Sequence, residues 1–381
     1  MLVGMLVNRA VLPQVLVRGG SLDDLEEVAI DEWMGASPVY TGRMRRLVGI
    51  EGDGVDAVMK ALQLDCGFVH EYMRVGYRYL DHDHAEFWLD RCGALLDVEP
   101  FGEERVHGMC HTIEDPTFDA TALATNPRAR IRPIHRPPRV PADREPHCHW
   151  TLTIDPADDP VGPTRLTEQV AGLPLASVAN EVRPEPEPDG MTDYRGAFDP
   201  DFRLADLSTG ALAAVARELC VQAHLLVCSG ELALAGRFGA DTARDMVAEA
   251  WAGVGWIAGE RLAAALGVGP GPEGLASVLS LTAALPPGLA RRVDVDGDRV
   301  RFALTPTTPG LLDPDHPGWS GLLARGERRG LEAAAHGFDP RARLVALTVT
   351  DGRVVAELVL DGDARPVTEP DVVALTRIGP L

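Results

Sequence analysis

Eight of the eleven histidines of this chain fall between His70 and His149. They stand among acids and cysteines: Asp81-His82-Asp83-His84, Cys110-His111 followed by Glu114 and Asp115, then His135, then His147-Cys148-His149. Imidazole titrates near neutral pH and is the commonest protein metal ligand, so this concentration points to a metal site or to acid–base chemistry. Beyond residue 150 only His224, His316 and His336 occur. The chemistry is therefore expected in the first half.

The chain has 381 residues, room for two domains of ordinary size, and its apolar content of 45% is that of a folded protein. A net charge of −21, from 36 basic and 57 acidic residues, argues against sequence-independent nucleic-acid binding and against docking on anionic membranes. The opening run MLVGMLVNRAVLPQVLV is broken by Asn8, Arg9 and Pro13. It lacks the basic segment of a signal peptide and is too short to span a bilayer, and no other run is read as long enough. Cys66, Cys92, Cys110, Cys148, Cys220 and Cys228 form no CxxC pair and read as reduced thiols of a cytoplasmic protein.

The elements that would position the histidines come in two copies. Asn126-Pro-Arg-Ala-Arg130 recurs as Asp339-Pro-Arg-Ala-Arg343, each ahead of a β-like run. In the second copy LVALTV and RVVAELVL are joined by Asp351-Gly352, a hairpin signal. The first copy has a longer, proline-rich connection between IRPIH and HCHWTLTI. Upstream, Glu104–His111 is set opposite Asp298–Thr305, the return strand of a hairpin turning at Asp296-Gly297, which puts Cys110 at a strand end. Ala211–Leu266 reads as two long helices broken near Gly236–Gly239, with Asp241 as N-cap. The first copy offers helix from Val55 to Tyr79 and then a short one opened by a capping box of Asp83 and Glu86. Ala85, Trp88, Leu89 and Cys92 lie on one face of that short helix, and Gly93 ends it. The expected fold class is α+β: two tandem related domains, each of helices packed on a small antiparallel sheet. Their cores span roughly 40–160 and 205–362. The chain thus divides into a His/Cys-rich catalytic domain with an N-terminal extension (1–160), a linker (161–204) and a degenerate structural or dimer-forming repeat (205–381). The linker's Pro/acid segment, 183–190, is expected to be neither helix nor strand.

This order resembles the domains related to L-2-amino-thiazoline-4-carboxylic acid hydrolases and the 4-vinyl-reductase-type ligand-binding domains. The residues that carry the resemblance are Cys110, Asn126-Pro-Arg after a helix, and Cys148-His149-Trp150 on the last strand; the second copy keeps Trp251 and Trp256 but neither cysteine. The resemblance implies a mixed α/β domain enclosing a small-molecule pocket, often paired, in proteins that include hydrolases, reductases or lyases, and sensors.

Comparing the copies sorts the candidates. Cys110-His111 stands where the second copy has Leu304-Thr305, His135 opposite Thr348, and Arg132 opposite Ala346. Along the last strand, alternation puts Cys148, Trp150, Leu152 and Ile154 in the core and His147, His149, Thr151 and Thr153 on the other face. A divalent transition metal is expected on His84, His111, His135 and His149, zinc in preference to non-haem iron, with Glu114 or Asp115 as carboxylate ligand or base. Cys110, His111, Glu114 and Asp115 are the catalytic candidates and Arg132 the clamp for a substrate carboxylate. Arg128 and Arg130, repeated as Arg341 and Arg343, are read as structural, His82 and His147 as surface, and His107 as structural on a strand. The expected activity is metal-dependent hydrolysis or elimination on a small polar molecule. The alternatives are a metal-free Cys110 hydrolase with a histidine base oriented by Asp119, a non-haem iron oxidoreductase, and a small-molecule sensor without catalysis. The expected partners are that small molecule and a second copy of the chain, with no nucleic acid and no membrane.

Overall fold

Two long helices open each half of the chain. In the computed structural model, which describes residues 2–70, 72–180, 182, 187–350 and 352–377, the first pair is α1 (Leu2–Val17) and α2 (Leu22–Val48). A capping box starts α2: Ser21 accepts from the Asp24 backbone N–H, and the Asp24 carboxylate accepts from that of Ser21. Gly49, at φ 71°, takes the left-handed conformation that stops it. Next come α3 (Val55–Leu62) and the hairpin β1 (Met73–Asp81) and β2 (His84–Cys92). A helical stretch follows: α4 (Gly93–Val98), α5 (Glu103–His107), π-helical turns over Gly108–Ile113 and α6 (Glu114–Leu123). Strands β3 (Ala129–His135) and β4 (Cys148–Ile154) complete an antiparallel sheet of order β1-β2-β4-β3.

After α7 (Arg165–Ala171) the design repeats. Helices α8 (Thr209–Phe238), α9 (Ala240–Leu266) and α10 (Pro272–Leu281) lead to the hairpin β5 (Leu289–Asp296) and β6 (Arg299–Pro306). Then come α11 (Trp319–Ala324), α12 (Arg329–Phe338), β7 (Ala342–Thr350), β8 (Arg353–Leu360) and α13 (Asp371–Thr376). The second sheet has the matching order β5-β6-β8-β7. The fold is α+β with two sheet-bearing regions.

The repeated pentapeptide makes the same bonds twice. Asn126 Oδ1 accepts from the Arg128 backbone, and Asp339 Oδ1 from that of Arg341, both at 2.9 Å. Arg130 donates to the carbonyls of Pro127 and Ala129, and Arg343 to those of Pro340 and Ala342. These arginines are structural, holding backbone carbonyls in the turn ahead of each strand.

Three local expectations are overturned. The segment opened by Asp83 is the strand β2, not a helix: Ala85, Phe87 and Leu89 are buried at a spacing of two, while Trp88 lies on the opposite face over Gly76. Val55–Tyr79 is helical only as far as Leu62. Glu104–His111 is helix, so Cys110 ends no strand; the counterpart of β6 is β2, with Phe87 opposite Trp150 and Phe302 opposite Ala356 at matching registers. Pro116, just inside α6, has no N–H to donate and its ring crowds the carbonyl of Thr112, which accounts for the widened π turns before it. The break between α8 and α9 falls at Gly239, φ 83°, and Asp241 sits in the first turn rather than at the cap. Of the 183–190 segment, residues 183–186 lie outside the described residues, and the rest is turn. Asp351 is likewise undescribed, but Thr350 pairs with Arg353 and Gly352 has φ 68°, as a two-residue hairpin turn demands.

One core runs through α1, α2, α8, α9 and the second sheet, and a second core lies under the first sheet. Helix α8 is long and apolar enough to cross a membrane, contrary to the sequence reading, and 72% of its apolar window is buried inside the protein. Packing of α9 on α12 is backbone against backbone: a Cβ on Gly259 would lie 2.2 Å from the Ala334 carbonyl oxygen. Gly259→Ala should therefore destabilise the fold by about 1–3 kcal/mol in urea unfolding. Gly236→Ala, where no atom lies within 4 Å of the new Cβ, should be neutral or stabilising by up to about 1 kcal/mol.

Candidate functional site

The histidines do not assemble. His84 is exposed at the β1–β2 turn and donates to Asp81 at 2.8 Å. His111 donates through Nε2 to the Pro137 carbonyl at 2.7 Å and stacks on His107, ring centroids 4.2 Å apart. Burial holds His111 below the usual imidazole range. His135 and His149 are neighbours across β3 and β4, rings 6.1 Å apart, on the outer face of the sheet. His149 donates to Glu86 at 2.9 Å, and Glu86 also holds Arg78. Burial alone would raise the Glu86 carboxyl, but these two partners outweigh it and hold it low. Among the described residues no group of three or more His, Cys, Asp or Glu is arranged to hold a metal ion. His147, expected at the surface, is buried because its Nδ1 accepts from the Cys92 backbone N–H. His107, expected on a strand, ends α5.

Two further candidates are taken up by the fold. Arg132 makes a two-pronged pair with Asp119, both bonds at 2.9 Å, and this bond raises the guanidinium pKa further. Asp119 is therefore engaged with Arg132 rather than orienting a histidine. Asp115 pairs with Arg136 at 2.5 Å. That bond, the His111–Pro137 bond and the Arg139–Glu99 pair fasten the long β3–β4 loop onto the helices below it. Cys110 lies on the inner side of the π turns, near Cys92, Cys148 and Glu114. Burial, reinforced by Glu114, pushes its thiol well above the ordinary value, which is the reverse of what a nucleophilic thiolate needs.

Glu114 is different. It follows the π turns directly and lines a cavity of about 810 Å³ enclosed by α1, α2, the first sheet and the helices from α4 to α6. The walls are mostly apolar: Met5, Leu12, Leu25, Ala29, Phe68, Leu89, Ile113 and Phe118 contribute. Lining residues run along α1 from Met5 to Val17, about 18 Å at the helical rise. Some of the apolar side chains that line it are open to solvent: Val17 is 75% exposed, Phe101 72% and Leu375 50%. Within the lining, Arg9 bonds Asp97 and the carbonyls of Thr376 and Arg377, and Tyr72 donates to the same Asp97. The polar groups deep inside are few. Asn8 receives the Trp33 indole at 3.2 Å and is satisfied. Glu114 Oε2 is sealed from solvent with no hydrogen-bond partner, and so is Asp65 Oδ2. Burial raises Glu114 to about 8, against a smaller opposing pull from Arg136, and raises Asp65 to about 6. Glu114 as a whole is half-buried, and Oε2 is the atom cut off from solvent.

The second copy closes the same space. At the offset set by the pentapeptides, Thr117, which faces the cavity, corresponds to Gly330. A Cβ on Gly330 would lie 1.9 Å from the Trp251 ring, so an indole fills that place. Glu114 corresponds to Glu327, whose carboxylate pairs with Arg329 at 2.9 Å and accepts from the backbone N–H groups of Arg328 and Arg329. Burial is outweighed there and Glu327 is held low. Glu114 stood among the sequence candidates; the cavity around it did not, because its walls read as ordinary core. Comparison with known protein families, curated proteins and solved structures found no match.

Two outcomes test this geometry. A carboxyl whose pKa is raised on folding favours the folded state below its unfolded value, and that contribution is lost as pH rises toward the folded value, here from 4.5 to about 8. Glu114→Gln should therefore raise Tm relative to the wild type by little near pH 4.5 and by a growing margin up to pH 8. Cys110, Cys92 and Cys148 should resist iodoacetamide in the native protein, as read by peptide mass mapping, and react only on unfolding.

Proposed function

We propose that the first half of the chain binds an elongated, largely apolar small molecule in this cavity. The observation that carries the reading is a cavity of 810 Å³, within the size range of small-molecule sites, walled by apolar side chains and holding very few unsatisfied polar groups. The exposed apolar side chains of the lining support it, since a slot lined only for internal packing has no need of Val17, Phe101 and Leu375 open to solvent. Of the functions expected from sequence, this supports the small-molecule binding protein. The metal-dependent hydrolase or lyase, with zinc or iron on His84, His111, His135 and His149, draws no support from an arrangement in which these side chains face different partners. A catalytic variant of the same reading is favoured by one feature: burial raises the Glu114 carboxyl toward the range in which a general acid works.

Titration with a neutral solvatochromic dye tests the proposal. The expected result is saturable binding at one site per chain with a blue-shifted emission. Ala29→Phe, which builds a ring into the cavity wall, should weaken it by about tenfold or more. Absence of saturable binding, or binding indifferent to Ala29→Phe in a folded variant, would overturn it.

A further inference from the structure

Resting on the cavity reading, we infer that the ligand carries a basic nitrogen that pairs, as a cation, with Glu114. Glu327 occupies the corresponding position in the second copy and is completed from within the chain, by the Arg329 guanidinium two residues on. In the first copy the residue at that place is Pro116, which has no charge and no donor. At the same position in the first copy the carboxyl therefore has no ion pair of the Glu327–Arg329 kind, and a cavity lies beside it.

The surroundings favour a cation over an anion. Asp65, 2% exposed, adds a second carboxyl oxygen without a partner to the same lining. Nearby guanidinium groups are engaged: Arg9 by Asp97 and two carbonyls, Arg136 by Asp115. Arg105 also lines the cavity, but it lies nine residues before Glu114, with the π turns between them. An amphiphile with an anionic head would seat that head near Arg105 and leave Glu114 beside its tail. A cationic head is drawn inward by Glu114 and Asp65, and its ammonium takes the place of a proton on Glu114. The proton leaves to solvent and no covalent bond changes. The net charge of −21 favours approach of a cation over an anion as well.

Displacement of the neutral dye by dodecylamine, dodecanol and dodecanoate, each below its micelle concentration at neutral pH, decides the matter. The amine is expected to bind about tenfold or more tighter than the other two. Glu114→Gln should remove that preference, and a far-ultraviolet circular dichroism spectrum matching that of the wild type shows that the variant is folded. Equal binding of amine and alcohol overturns the inference, as does a preference for the amine that survives Glu114→Gln. So does a preference for dodecanoate that disappears in Arg105→Ala. In each of these cases the cavity reading stands. If none of the three compounds displaces the dye and the dye itself does not saturate, the cavity reading falls with it.

Discussion

The two halves of this protein depend on the close crossing of α2 and α8. A Cβ on Gly35 would come within 2.2 Å of Ser229 Oγ, and one on Gly230 within 3.1 Å of Glu32 Oε1, so small residues set the approach. Arg43 fastens the crossing from α2: it pairs with Glu218 at 2.5 and 3.0 Å and donates to the carbonyls of Ala176 and Val178. Four of the five N–H donors of that nearly buried guanidinium are used, and a buried ion pair holds a fold rather than weakening it when its charges are hydrogen-bonded in this way. Glu32 shows the other side of the same crossing. It is wholly buried, neither oxygen has a partner, and burial raises it to about 8, so it sits between the helices as a neutral acid.

From this helical frame the two sheets are hung in the same way, and the copies then part. In the second, Gly255, Gly259, Gly330 and Gly337 bring α9 and α12 into backbone contact, and Trp251 fills the space that remains. In the first, α6 carries Thr117, Phe118 and Thr121 toward α2, and its start is displaced by the π turns ahead of Pro116. Close glycine packing in one copy and a cavity in the other follow from a few side chains on an otherwise shared plan. Helix α1, which the sequence reading set aside as an extension, belongs to the plan: it packs on α9 as α8 packs on α2, and it supplies one whole wall of the cavity.

Much of the plan was legible in the sequence. The pentapeptides and the Asp-Gly turns have local causes, an Asx-type bond and a positive φ, and such causes can be read from a few residues. The buried face of β4, with Cys148, Trp150, Leu152 and Ile154, followed from alternation alone. The first hairpin was misread because Ala85, Trp88, Leu89 and Cys92 also fit a helical spacing, and only the pairing of β2 with β1 and β4 separates the two periods. The histidines misled for a related reason. Residue type suggests a ligand, but whether imidazoles converge depends on which strand face and which neighbour each receives, as His149 with Glu86 and His111 with Pro137 show. Glu114 was among the candidates, yet its importance lies in bonds it does not make, and no local pattern encodes that.

A simpler account would make Glu114 a structural acid, neutral and inert like Glu32. Leaving a buried polar group unsatisfied costs about 1–3 kcal/mol, which Leu or Met at that position would avoid. Glu327 shows that this position can carry a glutamate without that cost, provided Arg329 is present. Glu32 is wholly buried between two packed helices and is not part of the cavity lining. Glu114 sits at the start of a helix whose preceding turns are already widened, against a volume large enough for a ligand. On the proposed reading, that cost is confined to the free protein and is recovered by the group that meets the carboxyl, which would concentrate discrimination between ligands at one atom pair while the apolar walls contribute affinity with little selectivity.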